Sequence, residues 1–117
     1  FFKNVNDTYG HNIGDAVLIQ LVKILTREIR TVDVLSRWGG EEFLLIMPQI
    51  DAQGATYVAE RLRTVVEKTL FTQGLRQTAS FGVATYKLGE SPEAFIDRAD
   101  KALYEAKQLG RNCVVSK

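Results

Sequence analysis

The stretch Val34-Leu35-Ser36-Arg37-Trp38-Gly39-Gly40-Glu41-Glu42-Phe43-Leu44-Leu45-Ile46-Met47 decides the fold. Two strand-forming runs flank a Gly-Gly pair, and such a pattern reads as a β-hairpin closed by a tight primed turn. Glycines at the tip permit φ > 0 and let a ligand approach the backbone closely. Glu41 and Glu42 follow at once, and after them the wholly apolar run Phe43 to Met47. Adjacent strand residues point to opposite faces, so the two carboxylates cannot both aim at one metal. One of them could hold a hard cation through oxygen, as magnesium sites combine one or two carboxylates with substrate phosphates. The other reading is a solvated tip whose charges keep the hairpin soluble.

Working outward, apolar residues recur at helical spacing on both sides of the hairpin. Upstream these are Leu18, Leu21, Val22, Leu25 and Ile29; downstream they are Ala55, Val58, Ala59, Leu62, Val65 and Val66. A third helix opens at Ser91-Pro92, a capping serine before a first-turn proline, and closes at Gly110. Its stripe of Phe95, Ala99, Ala102, Leu103 and Ala106 suits close seating on a sheet. Thr78 to Tyr86 reads as a third strand whose small residues Ser80, Gly82 and Ala84 leave room for a near neighbour. Val114 to Ser116 reads as a short closing strand, and Phe1-Phe2 suits the end of an earlier one. The order helix, strand, strand, helix, strand, helix, strand predicts an α/β sandwich with a central mixed β-sheet flanked by helices, related to the split βαβ layouts.

The chain has 117 residues, 45% hydrophobic and 25% charged, which is one ordinary domain with enough length for a real core. Fifteen basic against fourteen acidic residues leave a net charge of +1, too little for a global field that attracts nucleic acid or an anionic membrane. A single cysteine, Cys113, cannot form an internal disulfide, and a reducing cytoplasm fits. No apolar run approaches the ~20 residues of a membrane helix. Phe1-Phe2-Lys3 is neither a signal peptide nor a start at methionine, so the sequence reads as the middle or end of something longer.

Three further clusters carry polar chemistry. Asn6-Asp7-Thr8-Tyr9-Gly10-His11-Asn12-Ile13-Gly14-Asp15 reads as a loop leading into the first helix. Its Asn and Asp could bond a nucleobase edge and the helix start could receive a phosphate, or Asp15 is simply the N-cap and Asn6-Asp7 a turn. His11 is the sole histidine, so no Ser/His/Asp arrangement or His/Cys metal cluster can be assembled. Lys107 and Arg111 straddle Gly110, where they either complement a helix dipole or grip phosphates. Arg30 and Asp33 carry a similar choice between a surface ion pair and a ligand site.

Together these segments resemble the GGDEF family of diguanylate cyclase domains over the whole chain. The resemblance rests on Phe2-Lys3 with Asn6 to His11 and Gly14-Asp15, on Arg37-Trp38-Gly39-Gly40-Glu41-Glu42-Phe43, on Ala99 to Lys107, and on Gly110-Arg111-Asn112. It implies that residues 1–117 form one such domain with a nucleotidyl-cyclase or palm-like fold. The implied reaction joins two GTP into cyclic di-GMP with loss of two pyrophosphates, across a homodimer that carries one GTP per subunit. Positioning and charge neutralisation by Mg2+ (or Mn2+) are the expected means.

Carried over by position, Glu41 matches the metal-ligating carboxylate and base for the 3′-hydroxyl. Glu42 matches the second acidic position, and Gly39 and Gly40 give the phosphates room. Asn6 and Asp15 match guanine-contacting positions, with His11 beside them, so that Asp15 both caps the helix and reads the base. Lys3, Lys107 and Arg111 match basic residues around the phosphates. Arg30 and Asp33 stand where many members carry an Arg-x-x-Asp site for inhibition by product, with Arg61 as its further arginine.

The family carries Asp-x-Asp just ahead of the residues matching Phe1-Phe2-Lys3, and its first aspartate is a metal ligand. Both lie outside this sequence, so the N-terminal strand reads as truncated. An upstream sensory domain is expected, and a cytoplasmic location, whether free or as part of a larger membrane-anchored protein. Nucleic acid and membrane are not expected partners of this segment. Two alternatives to the cyclase are a catalytically silent domain that binds cyclic di-GMP or GTP as a regulatory module, and a GTP-sensing partner of a phosphodiesterase domain. The intact Gly39-Gly40-Glu41-Glu42-Phe43 signature argues against loss of activity.

Overall fold

The computed structural model describes residues 10–117, and for His11 the backbone only. Lys3 and Asn6 therefore lie outside the described residues. The elements are α1 (His11–Glu28), β1 (Val34–Gly39), β2 (Glu42–Ile46), α2 (Ala52–Lys68), a 3-10 turn (Thr72–Gly74), β3 (Phe81–Val83), α3 (Pro92–Gln108) and β4 (Val114–Ser116). They fall into two compact units, residues 10–48 with 68–77, and residues 49–67 with 78–117.

In the first unit, α1 starts earlier than its sequence suggests. Gly10 is its N-cap, with φ +90° and no side-chain cap bond, and the amide of Gly14 donates to the Gly10 carbonyl at 3.2 Å. Asn12 to Asp15 are thus helical, and Asp15 is not the cap. The inward face is also rotated from the expected one. Gly14, Val17, Ile24 and Leu25 are buried and Leu21 half-buried, whereas Val22 is exposed and Ile29 lies past the helix end. Apolar residues at 17, 18, 19, 21, 22, 24 and 25 support two overlapping stripes, and packing buries the one through Val17 and Ile24. The helix meets the 3-10 turn, where the Gln20 side-chain oxygen accepts the Thr72 amide at 2.8 Å beside buried Phe71.

The hairpin forms as its sequence predicts. β1 and β2 pair antiparallel from Val34↔Ile46 to Arg37↔Phe43 and then Gly39↔Glu42, leaving Trp38 as the extra residue of a bulge. Gly40 and Glu41 form the two-residue loop. Gly40 has φ +51° and Glu41 a negative φ, the sign pattern of a type II′ turn.

In the second unit, α3 packs on the parallel pair β3 and β4, joined in the register Phe81↔Val114, Gly82↔Val115 and Val83↔Ser116. β3 is shorter than the expected Thr78 to Tyr86 because its partner among the described residues is three residues long. The small residue at 82 is required there: a Cβ would strike the backbone of Ala99 and Leu103, with the Leu103 Cα at 2.8 Å. Ala102 and Ala106 of α3 are fully buried, so the alanine face does seat closely. Ser91 caps α3 by accepting the Ala94 amide at 3.1 Å, with Pro92 in its first turn. α2 buries Ala55, Ala59, Leu62 and Val66, as its spacing predicts. Where one central mixed sheet is expected, the described strands form one antiparallel and one parallel two-stranded sheet.

Candidate functional site

The hairpin tip presents Glu41 in the turn and Glu42 at the start of β2, both exposed. Its backbone is fixed from one side by Arg37, whose Nε and Nη2 donate to the Gly40 carbonyl at 3.0 and 2.7 Å. The guanidinium thereby spans the turn and holds one peptide of the Gly-Gly pair. Arg37 is quoted in the motif above without a role. Its bond to a turn carbonyl three residues on is a structural fact that residue type does not announce.

A second cluster lies between α1 and β1. The Nη2 of Arg30 donates to Asp33 Oδ1 at 2.7 Å and to the Pro48 carbonyl at 2.7 Å, while its Nε reaches Oδ1 at 3.1 Å. The Arg30 amide adds a bond to Asp33 Oδ2 at 2.8 Å. The Arg30 side chain is 45% exposed and that of Asp33 only 2%. The hydrogen bond from Arg30 holds the Asp33 carboxyl below its ordinary range, against the opposing effect of desolvation. Of the two sequence readings of this pair, the ion pair is present in the structure.

The third cluster is the end of α3. The amides of Gly110 and Arg111 donate to the carbonyls of Lys107 and Ala106 at 3.4 and 3.0 Å, a Schellman closure with Gly110 at φ +111°. Arg111 and Asn112 continue with φ +64° and +47°. Lys107 is half-buried on the last turn and Arg111 exposed. Elsewhere, Asp15 is exposed on the second turn of α1 and Arg61 is exposed on α2. Among the described residues no three His, Cys, Asp or Glu side chains gather as a metal cluster. The donor at the Gly-Gly turn is the Glu41 carboxylate, a hard oxygen ligand that fits a divalent cation shared with phosphate oxygens.

Comparison with known proteins gives these clusters a common frame. The family described as diguanylate cyclase, GGDEF domain, matches residues 1–113. The chain belongs to the GGDEF family. Its members' palm-like α/β fold is the fold class of this chain, and GGDEF cyclases are generally metal-dependent. The sequence is 48% identical to Diguanylate cyclase A of Treponema denticola, over 97% of this chain and 32% of that protein. It is 46% identical to the response regulator PleD of Caulobacter vibrioides, over 100% of this chain and 27% of that one. The chain thus spans under a third of the length of these curated relatives. Among solved structures, the active GGEEF domain of a Vibrio cholerae diguanylate cyclase matches with TM-score 0.91 at 33% identity, covering 98% of this chain and 75% of that one. The GGDEF domain of DgcB from Caulobacter crescentus, solved in complex with c-di-GMP, matches with TM-score 0.90 at 35% identity, covering 98% and 71%. Among the described residues no helix is long and apolar enough to cross a membrane.

Proposed function

We propose that residues 1–117 act as one diguanylate cyclase domain that converts two GTP into cyclic di-GMP and two pyrophosphates as a homodimer. The observation that carries this reading is the intact Gly39-Gly40-Glu41-Glu42-Phe43 signature at a glycine turn, with Glu41 exposed at the tip and the turn braced by Arg37. In each half-reaction the 3′-oxygen of one GTP bonds to the α-phosphorus of the other. The bond from that phosphorus to the β-phosphate bridging oxygen breaks, and Glu41 takes the 3′-hydroxyl proton. Mg2+ or Mn2+ would be held by Glu41 together with substrate phosphates and would neutralise charge on them. Glu42, the first residue of β2, is the second acidic group of the signature.

Asn6, His11 and Asp15 are assigned to guanine, because a base edge is selected by polar groups that a wrong base leaves unpaired. Lys3, Lys107 and Arg111 are assigned to the phosphates, Lys as a point charge and Arg as a fork. Arg30, Asp33 and Arg61 are assigned to product inhibition. Arg30 is half exposed and already forked towards a carboxylate, and a phosphate or a guanine edge could claim the same donors. A GTP-consuming reaction and the free Cys113 both suit the cytoplasm. In longer proteins of this kind, an upstream sensory domain would set how the two copies meet.

The test is the full-length protein incubated with GTP and magnesium, with product identified by mass. Glu41→Gln should lower cyclic di-GMP formation by more than roughly a hundredfold while circular dichroism stays unchanged, since charge stabilisation at such sites is worth several kcal/mol. Near-normal turnover in that variant would sink the assignment.

A further inference from the structure

Immediately after α3, two successive non-glycine residues adopt left-handed backbone, Arg111 at φ +64° and Asn112 at φ +47°. Asparagine tolerates that region through its short polar side chain, whereas arginine has no such compensation. Strained backbone of this kind persists only where its surroundings over-determine it, and it concentrates at working sites. Here the surroundings are a closed ring of polar contacts from α2. Asn112 Nδ2 donates to Glu67 Oε2 at 2.6 Å, and Arg63 Nη1 donates to Asn112 Oδ1 at 3.2 Å. Arg63 Nη1 also lies 3.6 Å from Glu67 Oε1, which closes the ring. The outer edge of Arg63 is held by Glu60 Oε2 at 3.2 Å. From the other side, the Asn112 amide donates to Ser80 Oγ at 3.0 Å, and the Arg111 amide is fixed to the Ala106 carbonyl. The side-chain amide and backbone amide of Asn112 are thus all engaged, while Arg111 beside it is exposed. No hydrogen bond or ion pair of the Arg111 guanidinium is found among the described residues.

We infer that Asn112, gripped by Glu67 and Arg63 of α2, is a positioning residue that holds the left-handed turn so that Arg111 points its guanidinium at a nucleotide phosphate. This deepens the function proposed above and rests on it, since Arg111 is assigned to phosphate only there. The ring preorganises the arginine before substrate arrives, so less freedom is lost on binding. Its loss should appear as weaker GTP binding and leave the chemical step after binding largely alone.

The experiment measures KM for GTP, kcat and thermal melts in the full-length protein. Arg111→Ala, Asn112→Gly, Glu67→Ala and Glu67→Gln are compared with the double variant Arg111→Ala/Asn112→Gly. Glycine at 112 keeps the backbone conformation while deleting the side chain. Asn112→Gly and Glu67→Ala should each raise KM roughly tenfold, the size of one charge-assisted hydrogen bond, with kcat changed far less. Glu67→Gln, which keeps an oxygen for Asn112, should recover most of the Glu67→Ala loss. The decisive reading is the double variant, whose KM should equal that of Arg111→Ala alone. Losses that instead multiply would mean that Asn112 acts elsewhere and would overturn the inference while leaving the phosphate assignment intact. A normal KM in Arg111→Ala would overturn both together. Should Asn112→Gly melt too low for assay, the Glu67 pair in the wild-type and Arg111→Ala backgrounds decides by the same comparison.

Discussion

Two arginine–carboxylate pairs in this chain share a residue pairing and differ in geometry and in reach. Arg98 forks onto Glu90 with Nε on one carboxylate oxygen and Nη2 on the other, each at 2.7 Å, whereas Arg30 directs Nε and Nη2 at 3.1 and 2.7 Å to the same oxygen, Oδ1 of Asp33. In both, the hydrogen bond from arginine is the main cause that lowers the carboxyl, to about 2 for Glu90. What separates them is reach. Arg98 also donates to the Thr85 carbonyl at 2.6 Å and to the Lys117 carbonyl at 2.9 Å, with its guanidinium 5.8 Å from the Phe95 ring centre. It therefore ties three separate segments to α3, with a side chain 20% exposed. Arg30 joins a residue three positions away and one carbonyl, and nearly half of it faces solvent. A depressed carboxyl alone identifies neither a working site nor a structural tie. The number of distant segments served, and the exposure left over, distinguish them.

The largest thermal effect should follow from Arg98→Met, which keeps the apolar stem and removes every tie. Glu90 keeps only the Lys87 amide, and the carbonyls of Thr85 and Lys117 lose the Arg98 donor, so the melting temperature should fall by several degrees. Arg30→Ala should move it much less, because the backbone amide of residue 30 still serves Asp33. Its main effect should instead be to raise the cyclic di-GMP concentration for half-inhibition roughly tenfold, as expected for one lost charged contact. If the two variants shift the melt equally, or if calorimetry shows unchanged product affinity in Arg30→Ala, the contrast drawn above fails.

Much of this was legible from side-chain pattern. The Gly39-Gly40 pair between two strand-forming runs located the hairpin, Ser91-Pro92 located the start of α3, and the small residue at 82 announced the close approach of that helix. The inward face of α1 was not legible, since the apolar residues between Val17 and Leu25 fit two faces and only packing chooses between them. The length of β3 was not legible either, because among the described residues it follows its pairing with the three residues of β4. Of the residues proposed for the site, Glu41, Arg30, Asp33 and Arg111 stand out by charge beside glycine or at fixed spacing. Their neighbours do not: Arg37 bonds one turn carbonyl and Asn112 holds a left-handed backbone, and neither depends on a sequence period.

Acid provides a finer comparison of the two pairs. Both carboxyls lie below their ordinary values of 4.5 for Glu90 and 3.8 for Asp33. The unfolded chain therefore takes up these protons first, so each pair stabilises the fold above its ordinary value and loses that contribution as pH falls. For Glu90 the loss runs from about 4.5 down through about 2. Melting temperatures recorded between pH 5 and pH 2 should drop less in Glu90→Gln than in the wild type, because that variant has no such proton to bind. Identical slopes would mean that Glu90 contributes nothing to acid sensitivity and that the tie at Arg98 works through its backbone acceptors.

The smallest effect sharpens the same region. The Thr85 hydroxyl is buried without a hydrogen-bond partner among the described residues, although the carbonyl of the same residue serves Arg98. A buried hydroxyl left unsatisfied costs roughly 1–3 kcal/mol, and valine has nearly the same shape without it. Thr85→Val leaves the carbonyl and the Arg98 tie in place, so it isolates the cost of the hydroxyl from the value of the tie. The expected outcome is a melting temperature equal to or slightly above wild type, with the acid slope between pH 5 and pH 2 unchanged. A marked fall would mean that the hydroxyl is satisfied in solution, and that the segment before α3 is held by its side chain as well as by Arg98. Combined with Arg98→Met, the two changes should add, because one removes donors to a carbonyl and the other a group that takes no part in that bond.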